Sequence, residues 1–404
     1  MKVNIRRGAN EIGGSAVEVT AANGERIILD LGLPLDANEN SADLLPDIKG
    51  LTKRTSDLLG LFISHPHQDH FALGLHIDKT IPVYMGKTAN KIMRAGVKFN
   101  LPNAFTFENV HEFESWKPFQ LGAFKITPYL VDHSGYDSYA FLVETDGKRL
   151  FYSGDFRSHG RKGELFEHFI KRPPKSIDVM LMEGSSLDRL ESDKRFESEE
   201  ELEGKFIEIF KNTQGLALVH PSSQNIDRIV TIYRATKKAN RILVMGGYTG
   251  FIMMSLENPH IPNFTWSDVK KIVKTPTGKK HEITAEQIAA APKKYVFILG
   301  AGVLTWLEKA GLLNPSAHYI YSMWEGYRES SADRVVAVME RTGVPQSYIH
   351  TSGHADIPTL LEFVAAVKPA RLVPIHTFKP EYYFELFGDI ATVELQKNNE
   401  EFEV

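Results

Sequence analysis

The hexapeptide His65-Pro66-His67-Gln68-Asp69-His70 constrains this chain more than any other stretch of it. It follows directly on Leu61 to Ser64, a compact apolar run of the kind that forms a buried strand. Such a strand, ending abruptly in three imidazoles and a carboxylate, enters a functional loop. In an extended segment alternate residues project alike, so His65 and His67 can meet one ion while Asp69 and His70 turn toward a second. Imidazole and carboxylate donors suit Zn²⁺ and similar divalent ions. The alternative reading is a polar surface turn, and the density of donors argues against it.

A site built on that loop needs further donors just past other strand ends. Three places fit: His133 in YLVDHSGY, Asp155 in FYSGDFRS and His376 in LVPIHTFKP. Each follows a short, largely apolar run. Singly, each could be a capped turn or a satisfied polar residue; jointly they read as strands bringing their ends to one edge of a sheet.

Composition narrows the chemistry. The chain has no cysteine, so a disulfide scaffold, a thiolate metal site and a cysteine nucleophile are excluded. Lys plus Arg number 47 and Asp plus Glu 51, a net charge of −4, which gives no global basic field. An anionic partner must be drawn by a local patch or by bound cations. The longest nearly apolar run, Tyr295 to Leu307, is 13 residues and contains Gly300 and Gly302. That is short of the roughly 18 needed for a membrane span. The opening MKVNIRRGANEIGG lacks the apolar stretch of a secretory signal. These features lead us to expect a soluble, cytoplasmic protein without membrane contact.

At 404 residues two or three domains are expected, at roughly 150 residues each. The first part reads as strand-rich with few helices: Val3 to Ile5, Ser15 to Val19, Arg26 to Leu31, Phe124 to Leu130, Tyr139 to Glu144, Arg149 to Tyr152 and Val179 to Met182. The charged stretch DRLESDKRFESEEELEG at 188–204 reads as a solvated loop leading into a helix, and as a boundary. Strands and helices then alternate. Leu216 to His220, Ile242 to Met245, Tyr295 to Leu299 and His318 to Met323 read as strands; Ile226 to Ala239, Gly250 to Leu256, Leu304 to Ala310 and Ala332 to Thr342 read as helices. This pattern implies a parallel sheet with helices on its faces. Residues 257–294 show little periodicity. A strand at Ser347 to His350, a helix at Ile357 to Val367 and a strand at Arg371 to Ile375 complete the pattern.

The order Asp30 in ILDLGL, then HPHQDH, His133 and Asp155 resembles the signature series of the metallo-β-lactamase fold. Glu183 closing VMLME, His354 in HTSGHAD and His376 in PIHT resemble the extra motifs of its β-CASP branch, which includes ribonuclease J and Artemis-type DNA nucleases. SSQNIDRI at 222–229 is similar to a segment of the ribonuclease J-like members. The resemblance implies an α/β fold: an αββα metallo-β-lactamase sandwich from residues 1–187 and 346–404, interrupted by an inserted parallel α/β β-CASP domain at 188–345. Substrate would lie between the two. It also implies a minimal catalytic core, without the C-terminal domain of full-length ribonuclease J.

Residue by residue, the resemblance implies that His65, His67 and His133 hold a first zinc. Asp69, His70 and His376 would hold a second, with Asp155 bridging and Mn²⁺ as an alternative ion. Asp30 would orient the ligand loop. Two divalent ions about 3.5–4 Å apart lower the pKa of a shared water and neutralise a phosphoryl oxygen during in-line displacement. Asp69 thus enters the catalytic set with His354, a general acid for the leaving 3′-oxygen, and Glu183, the carboxylate that keeps His354 protonated. In the alternative reading His354 caps the helix starting near Asp356, and Glu183 is a buried structural acid. Ser222, Ser223, Ser352 and Gly353 could offer hydroxyls and N–H groups to phosphates; His350 stands between phosphate contact and packing. Tyr136 is the aromatic placed for base stacking. Gly8 to Gly14 is expected to form a turn near the site, and the Gly300-Ala301-Gly302 loop lacks the Ser-containing turn of relatives.

The function implied is a two-metal ribonuclease acting on single-stranded RNA, by internal or 5′-end cleavage, with a homodimer as one candidate assembly. Three rivals stay open: a DNA nuclease in repair or defence, a small-ester metallohydrolase, and an inactive nucleic-acid-binding subunit. The histidine in the last motif supports RNA, Glu183 and His354 have no task in a small-ester hydrolase, and the intact donor set argues against an inactive subunit.

Overall fold

The structure is a computed structural model that describes the chain except for residues 102–103, 190, 274–276 and 327–333. Its internal contacts divide it into two units, Met1–Phe196 with Gly353–Val404, and Glu197–Ser352.

Two seven-stranded sheets make the first unit. In spatial order, one sheet runs Glu401–Glu403, Lys2–Arg7, Ala16–Thr20, Arg26–Leu29, Leu58–Phe62, Val83–Gly86, Val110–Phe113. It is antiparallel through its N-terminal strands and parallel from Arg26–Leu29 onward. The other runs Thr392–Val393, Arg371–Ile375, Val179–Glu183, Lys148–Tyr152, Ser138–Thr145, Phe124–Val131, Phe119–Leu121.

Strand alternation sorts the side chains into layers. Phe124, Phe141, Val143, Leu150, Val179 and Leu181 meet Val3, Ile5, Val17, Ile27, Leu29 and Phe62 in one core. The intervening Ala140, Leu142, Phe151, Met180 and Met182 pack with Phe166 and Phe169 of the helix Gly163–Lys171 and with Leu360, Phe363 and Val364 of the helix Ile357–Val367. Ile28, Leu61, Val83 and Met85 pack with Ala89 and Met93 of the helix Lys87–Lys98. Helix layers thus cover the faces of both sheets, an αββα sandwich. Strands covered on both faces read as continuous apolar runs, which is why Leu61 to Ser64 and Val179 to Met182 stood out in the sequence. The helices Lys87–Lys98 and Gly163–Lys171 did not, because each buries only one stripe and carries several Lys or Glu on the other.

The second unit holds a seven-stranded sheet that is parallel throughout: Glu282–Ile283, Val269–Ile272, Ile242–Met245, Tyr295–Ile298, Ala217–His220, His318–Tyr321, Gln346–Tyr348. The weakly periodic residues 257–294 supply its two strands at one edge, where half-buried Lys270 and exposed Lys271 interrupt any apolar run. The helix read at Ala332 to Thr342 is present as Arg334–Arg341; 332 and 333 lie outside the described residues. Gly300 caps the helix Ala301–Lys309.

Both unit boundaries fall a few residues after those expected from the sequence. The first does so because Arg195 pairs with Glu362 and Asp356, and Phe196 N–H donates to Asp356 Oδ2. The second does so because Gln346–Tyr348 pairs with His318–Tyr321 as the last strand of the inserted sheet. Among the described residues no helix is long and apolar enough to cross a membrane.

Candidate metal centre

All the donor residues read from the sequence lie in the first unit, where loops leave the ends of neighbouring strands. The strand Leu58–Phe62 runs into HPHQDH, whose second half forms the one-turn helix Gln68–Phe71. Lys148–Tyr152 leads to Asp155, Val179–Glu183 ends on Glu183, and Arg371–Ile375 delivers His376. These three strands run parallel side by side, so their C-terminal ends share one edge. His133 follows the antiparallel strand Phe124–Val131 to the same place.

Two groups of donors form there. His65 Nε2 and His133 Nε2 each lie 3.1 Å from His67 Nδ1. Asp69, His70, Asp155 and His376 present one donor atom each within 4.8 Å of one another, as do the first three histidines. Asp155 Oδ2 stands between the groups, 3.1 Å from His70 Nε2, 3.6 Å from His376 Nε2 and 3.7 Å from His65 Nε2. Asp69 Oδ2 lies 3.6 Å from His376 Nε2 and 3.7 Å from His70 Nε2. His133, Asp155 and His354 also satisfy the geometry of a shared ion.

Protein groups around the donors determine which ring nitrogen faces inward. The buried carboxylate of Asp30 accepts from Ser64 N–H, Ser64 Oγ–H and Tyr152 O–H, each at 2.7 Å. His70 Nδ1 lies 2.7 Å from its Oδ2, and since a carboxylate only accepts, that nitrogen carries a proton and Nε2 is the atom turned toward Asp155. Ser64 Oγ, its own proton given to Asp30, accepts from His65 Nδ1 at 3.0 Å, which leaves His65 Nε2 as the inward donor. His376 Nδ1 lies 2.9 Å from Ser15 Oγ and 3.3 Å from Gly13 N, and His376 N–H donates to Gly8 O. The glycine-rich turn at 8–14 therefore braces His376.

Two glycines sit in close contact with the site, and at the first any side chain is excluded. A Cβ on Gly32 would lie 1.6 Å from the Asp69 carbonyl oxygen, and one on Gly135 would press on the rings of His65, His67 and His133 at 3.1–3.3 Å.

The electrostatics follow from burial and proximity. Burial pushes His65 and His133 well below the ordinary imidazole pKa, and His67 down to about 4. For His70 burial opposes the charge, but the carboxylates of Asp155, Asp69 and Asp30 outweigh it and raise the pKa well above the ordinary value. Asp155 is held well below the carboxylate range: burial works against this, and His376, His70 and His354 overcome it. Burial lowers His376.

The residues present fit a bound cation. His70 Nε2, His376 Nε2 and Asp155 Oδ1 are buried and, among the described residues, have no hydrogen-bond partner, although His70 Nε2 approaches Asp155 Oδ2 without hydrogen-bond geometry. Buried polar atoms are costly unless satisfied, and a divalent ion would satisfy three at once. The donor set is all nitrogen and oxygen, as zinc and manganese use.

His354 completes the group from the return segment. Its Nδ1 lies 3.0 Å from Glu183 Oε2 and 3.6 Å from Asp155 Oδ2. Burial lowers its pKa, but the Glu183 and Asp155 charges more than compensate, so the net shift is upward. Glu183 is itself anchored: Oε1 accepts from Phe156 N–H, and Oε2 from the N–H and Oγ–H of Ser185. The helix Ile357–Val367 is capped by the Asp356 side chain, which removes the capping alternative for His354.

Of the other residues named from sequence, Gly353 lies beside His133 and Ser134 in the first unit. Tyr136 is half-buried, with Lys162 Nζ 5.3 Å from its ring centre. Ser222, Ser223, His350 and Ser352 belong to the second unit. There Ser222 Oγ accepts from Gln224 N–H, Ser223 Oγ is 2.8 Å from Thr249 Oγ1, Ser352 is buried, and the His350 ring lies 6.1 Å from Tyr348. The supporting roles of Ser15, Ser64, Tyr152 and Ser185 were not legible in the sequence; only the adjacency of Ser64 to HPHQDH and of Tyr152 to SGD could have pointed to two of them.

A second layer of support was also invisible. Asp132 and Arg157, both fully buried, pair at 3.4 Å, Arg157 N–H donates to Asp132 O, and Gly160 N–H donates to Asp132 Oδ2. This ties the loop carrying His133 to the loop carrying Asp155.

Comparison with known proteins agrees with this architecture. Residues 27–243, more than half of the chain, match the family described as "Beta-lactamase superfamily domain", and residues 346–381 match "Zn-dependent metallo-hydrolase RNA specificity domain". Curated relatives include Ribonuclease J of Helicobacter pylori strain 26695, 23% identical over 93% of this chain and 56% of that protein. Ribonuclease J of Mycoplasma genitalium is 22% identical over 87% and 63% respectively, and that of Mycobacterium tuberculosis H37Rv 22% over 93% and 68%. The chain thus spans little more than half the length of the first of these relatives. A solved structure from Enterococcus faecalis V583, described as a protein of unknown function, superposes with a TM-score of 0.80 over 99% of both chains at 22% identity, which bears on the fold alone. The chain belongs to the metallo-β-lactamase superfamily, and its relatives by sequence include the ribonuclease J proteins.

Proposed function

We propose that this chain is a metal-dependent ribonuclease that hydrolyses phosphodiester bonds of single-stranded RNA, with two zinc ions as its cofactors. The observation that carries the reading is the placement of Asp155 Oδ2 within 3.1–3.7 Å of His65, His70, His376 and His354, between two clusters of imidazole and carboxylate donors. His65, His67 and His133 would hold one ion; Asp69, His70 and His376 the other, with Asp155 shared. Divalent cations bound there would acidify water and offset charge on a phosphoryl oxygen.

The chain's own residues supply the rest. Asp30, through His70 directly and His65 by way of Ser64, holds two donors in the required tautomer. Glu183 accepts from His354 Nδ1–H, which keeps the imidazolium and leaves Nε2–H as the proton delivered to the departing 3′-oxygen. Support for RNA comes from the names of the ribonuclease J relatives and of the RNA specificity domain that matches 346–381. A cysteine-free chain accords with action in the reducing cytoplasm.

The test is a set of time courses with single-stranded RNA and DNA bearing 5′-monophosphate or 5′-triphosphate and labelled at either end. Metal-dependent cleavage of RNA, absent in Asp69→Ala, is expected. Cleavage of DNA in preference to RNA would replace the reading by a DNA nuclease, and the label pattern separates internal from 5′-end attack.

A further inference from the structure

The second unit contains an open cavity of about 510 Å³ at the edge of its sheet where strands begin. It is lined by residues that precede the strands Ala217–His220, Ile242–Met245 and Tyr295–Ile298: Lys211 and Gln214, Asn240 and Arg241, Lys293 and Lys294. The hydroxyls and N–H groups of Ser222 and Ser223 follow the other end of the Ala217–His220 strand, so within this unit the cavity and the serine pair occupy opposite edges.

Several cations elsewhere in the unit are paired with acids. Arg228 pairs with Glu199, Lys237 with Asp268 and Lys238 with Glu203. Among the described residues none of the cavity's four cations has a carboxylate partner, and no Asp or Glu lines the wall. Lys293 meets only the neutral Gln214 side chain, at 3.1 Å. Arg241 is buried, and its guanidinium rests on the carbonyl oxygens of Gly215, Tyr295 and Thr213. Carbonyl dipoles orient that guanidinium without cancelling its charge. Its pKa falls to about 10 because burial is not offset by an acid.

Four cations, Arg241 buried and the three lysines exposed, thus share a wall without an acid, which favours an anion in the space. The apolar part of the wall is Ala239, Ala291 and Pro292, with the buried Phe210 behind it. The volume lies within the roughly 300–1,000 Å³ of small-molecule sites and exceeds what inorganic phosphate fills. We infer that this cavity binds a nucleoside phosphate, its phosphate against Lys293, Lys294 and Lys211 and its base against the apolar wall. The inference is independent of the catalytic reading, since it concerns residues of the second unit only.

The test is a calorimetric titration of the intact, metal-loaded protein with AMP, ADP, adenosine and inorganic phosphate, repeated on Lys293→Glu/Lys294→Glu. The metal centre is unchanged in both proteins, so any binding there cancels from the comparison. AMP and ADP should bind saturably and more tightly than adenosine or phosphate, and the double variant should weaken them by about tenfold or more. Lys211→Gln, a milder change, should weaken ADP severalfold and serves if the double variant melts early. Equal affinity in parent and variants, or phosphate binding as tightly as AMP, would overturn the inference.

Discussion

Asp30 Oδ2 lies 2.7 Å from His70 Nδ1 and, through Ser64 Oγ, one hydrogen bond further from His65 Nδ1. One carboxylate therefore sets the tautomer of a histidine in each of the two donor clusters. Asp30 itself has φ +59°, a left-handed conformation that Asp and Asn tolerate better than most residues. Asp30→Asn should accordingly fold, yet present an amide where an acceptor is needed. Its metal affinity should fall by about 10–100-fold, the usual cost of losing such a partner. Competition titration with a chromogenic chelator measures this; undiminished affinity would separate Asp30 from the metal centre.

His67 and Asp69 are donors with little structural work to do, His67 being the helix N-cap without a capping bond and Asp69 partly exposed. His67→Ala and Asp69→Ala should abolish cleavage of single-stranded RNA and reduce bound metal while leaving the circular dichroism spectrum unchanged. Parental turnover in either variant contradicts the site assignment.

His354→Ala tests proton delivery against metal binding. If His354 acts as the acid, the variant keeps its full complement of metal and loses about 10²–10⁴ in the chemical step. Loss of an ion, read by elemental analysis, would make His354 a ligand alongside His133 and Asp155, as the third donor grouping allows.

Gly32 sits where the first sheet's loop passes the backbone of Asp69. A methyl there overlaps a carbonyl oxygen that cannot rotate away, so Gly32→Ala forces the metal loop to shift. We expect a loss of about 1–3 kcal/mol in unfolding free energy, typical of overpacking, together with weaker metal binding. Chemical denaturation checks the first and chelator competition the second.

Far from the metal, Arg26 joins Glu18 and Asp57 at 2.6 and 2.7 Å. A hydrogen bond from Thr55 and the Arg26 guanidinium hold Asp57 at about 2, against an opposing effect of burial. A depressed carboxyl stabilises the fold fully above its unfolded value, near 3.9, and loses that contribution as pH falls toward the folded value. The metal-free parent should melt above Asp57→Asn at pH 6, and the two melting temperatures should converge as pH falls from about 4 to 2. A constant gap across that range would mean the carboxylate charge is irrelevant.

The donors themselves were legible because each needs a residue type that the surrounding pattern does not explain: histidines and aspartates immediately after apolar runs. Individual core strands were legible for the same reason, since strands covered on both faces must be apolar throughout, whereas the αββα layering was implied by the family resemblance. The helices Lys87–Lys98 and Gly163–Lys171 and the edge strands within 257–294 escaped, because half-exposed elements carry a mixed pattern that competes with the loop reading.

What the linear order could determine was the kind of chemistry, because ligand identity and spacing after a strand are local properties. What it could not determine was which ring nitrogen of each histidine faces the ion, and that Asp132 pairs with Arg157 beneath the site. Those depend on parallel strands far apart in the chain ending at one edge, a juxtaposition that arises only when the sheets close around their shared core. The same holds for the cation-lined cavity of the second unit, whose Lys211, Arg241 and Lys293 belong to no shared local pattern until three strand starts bring them together.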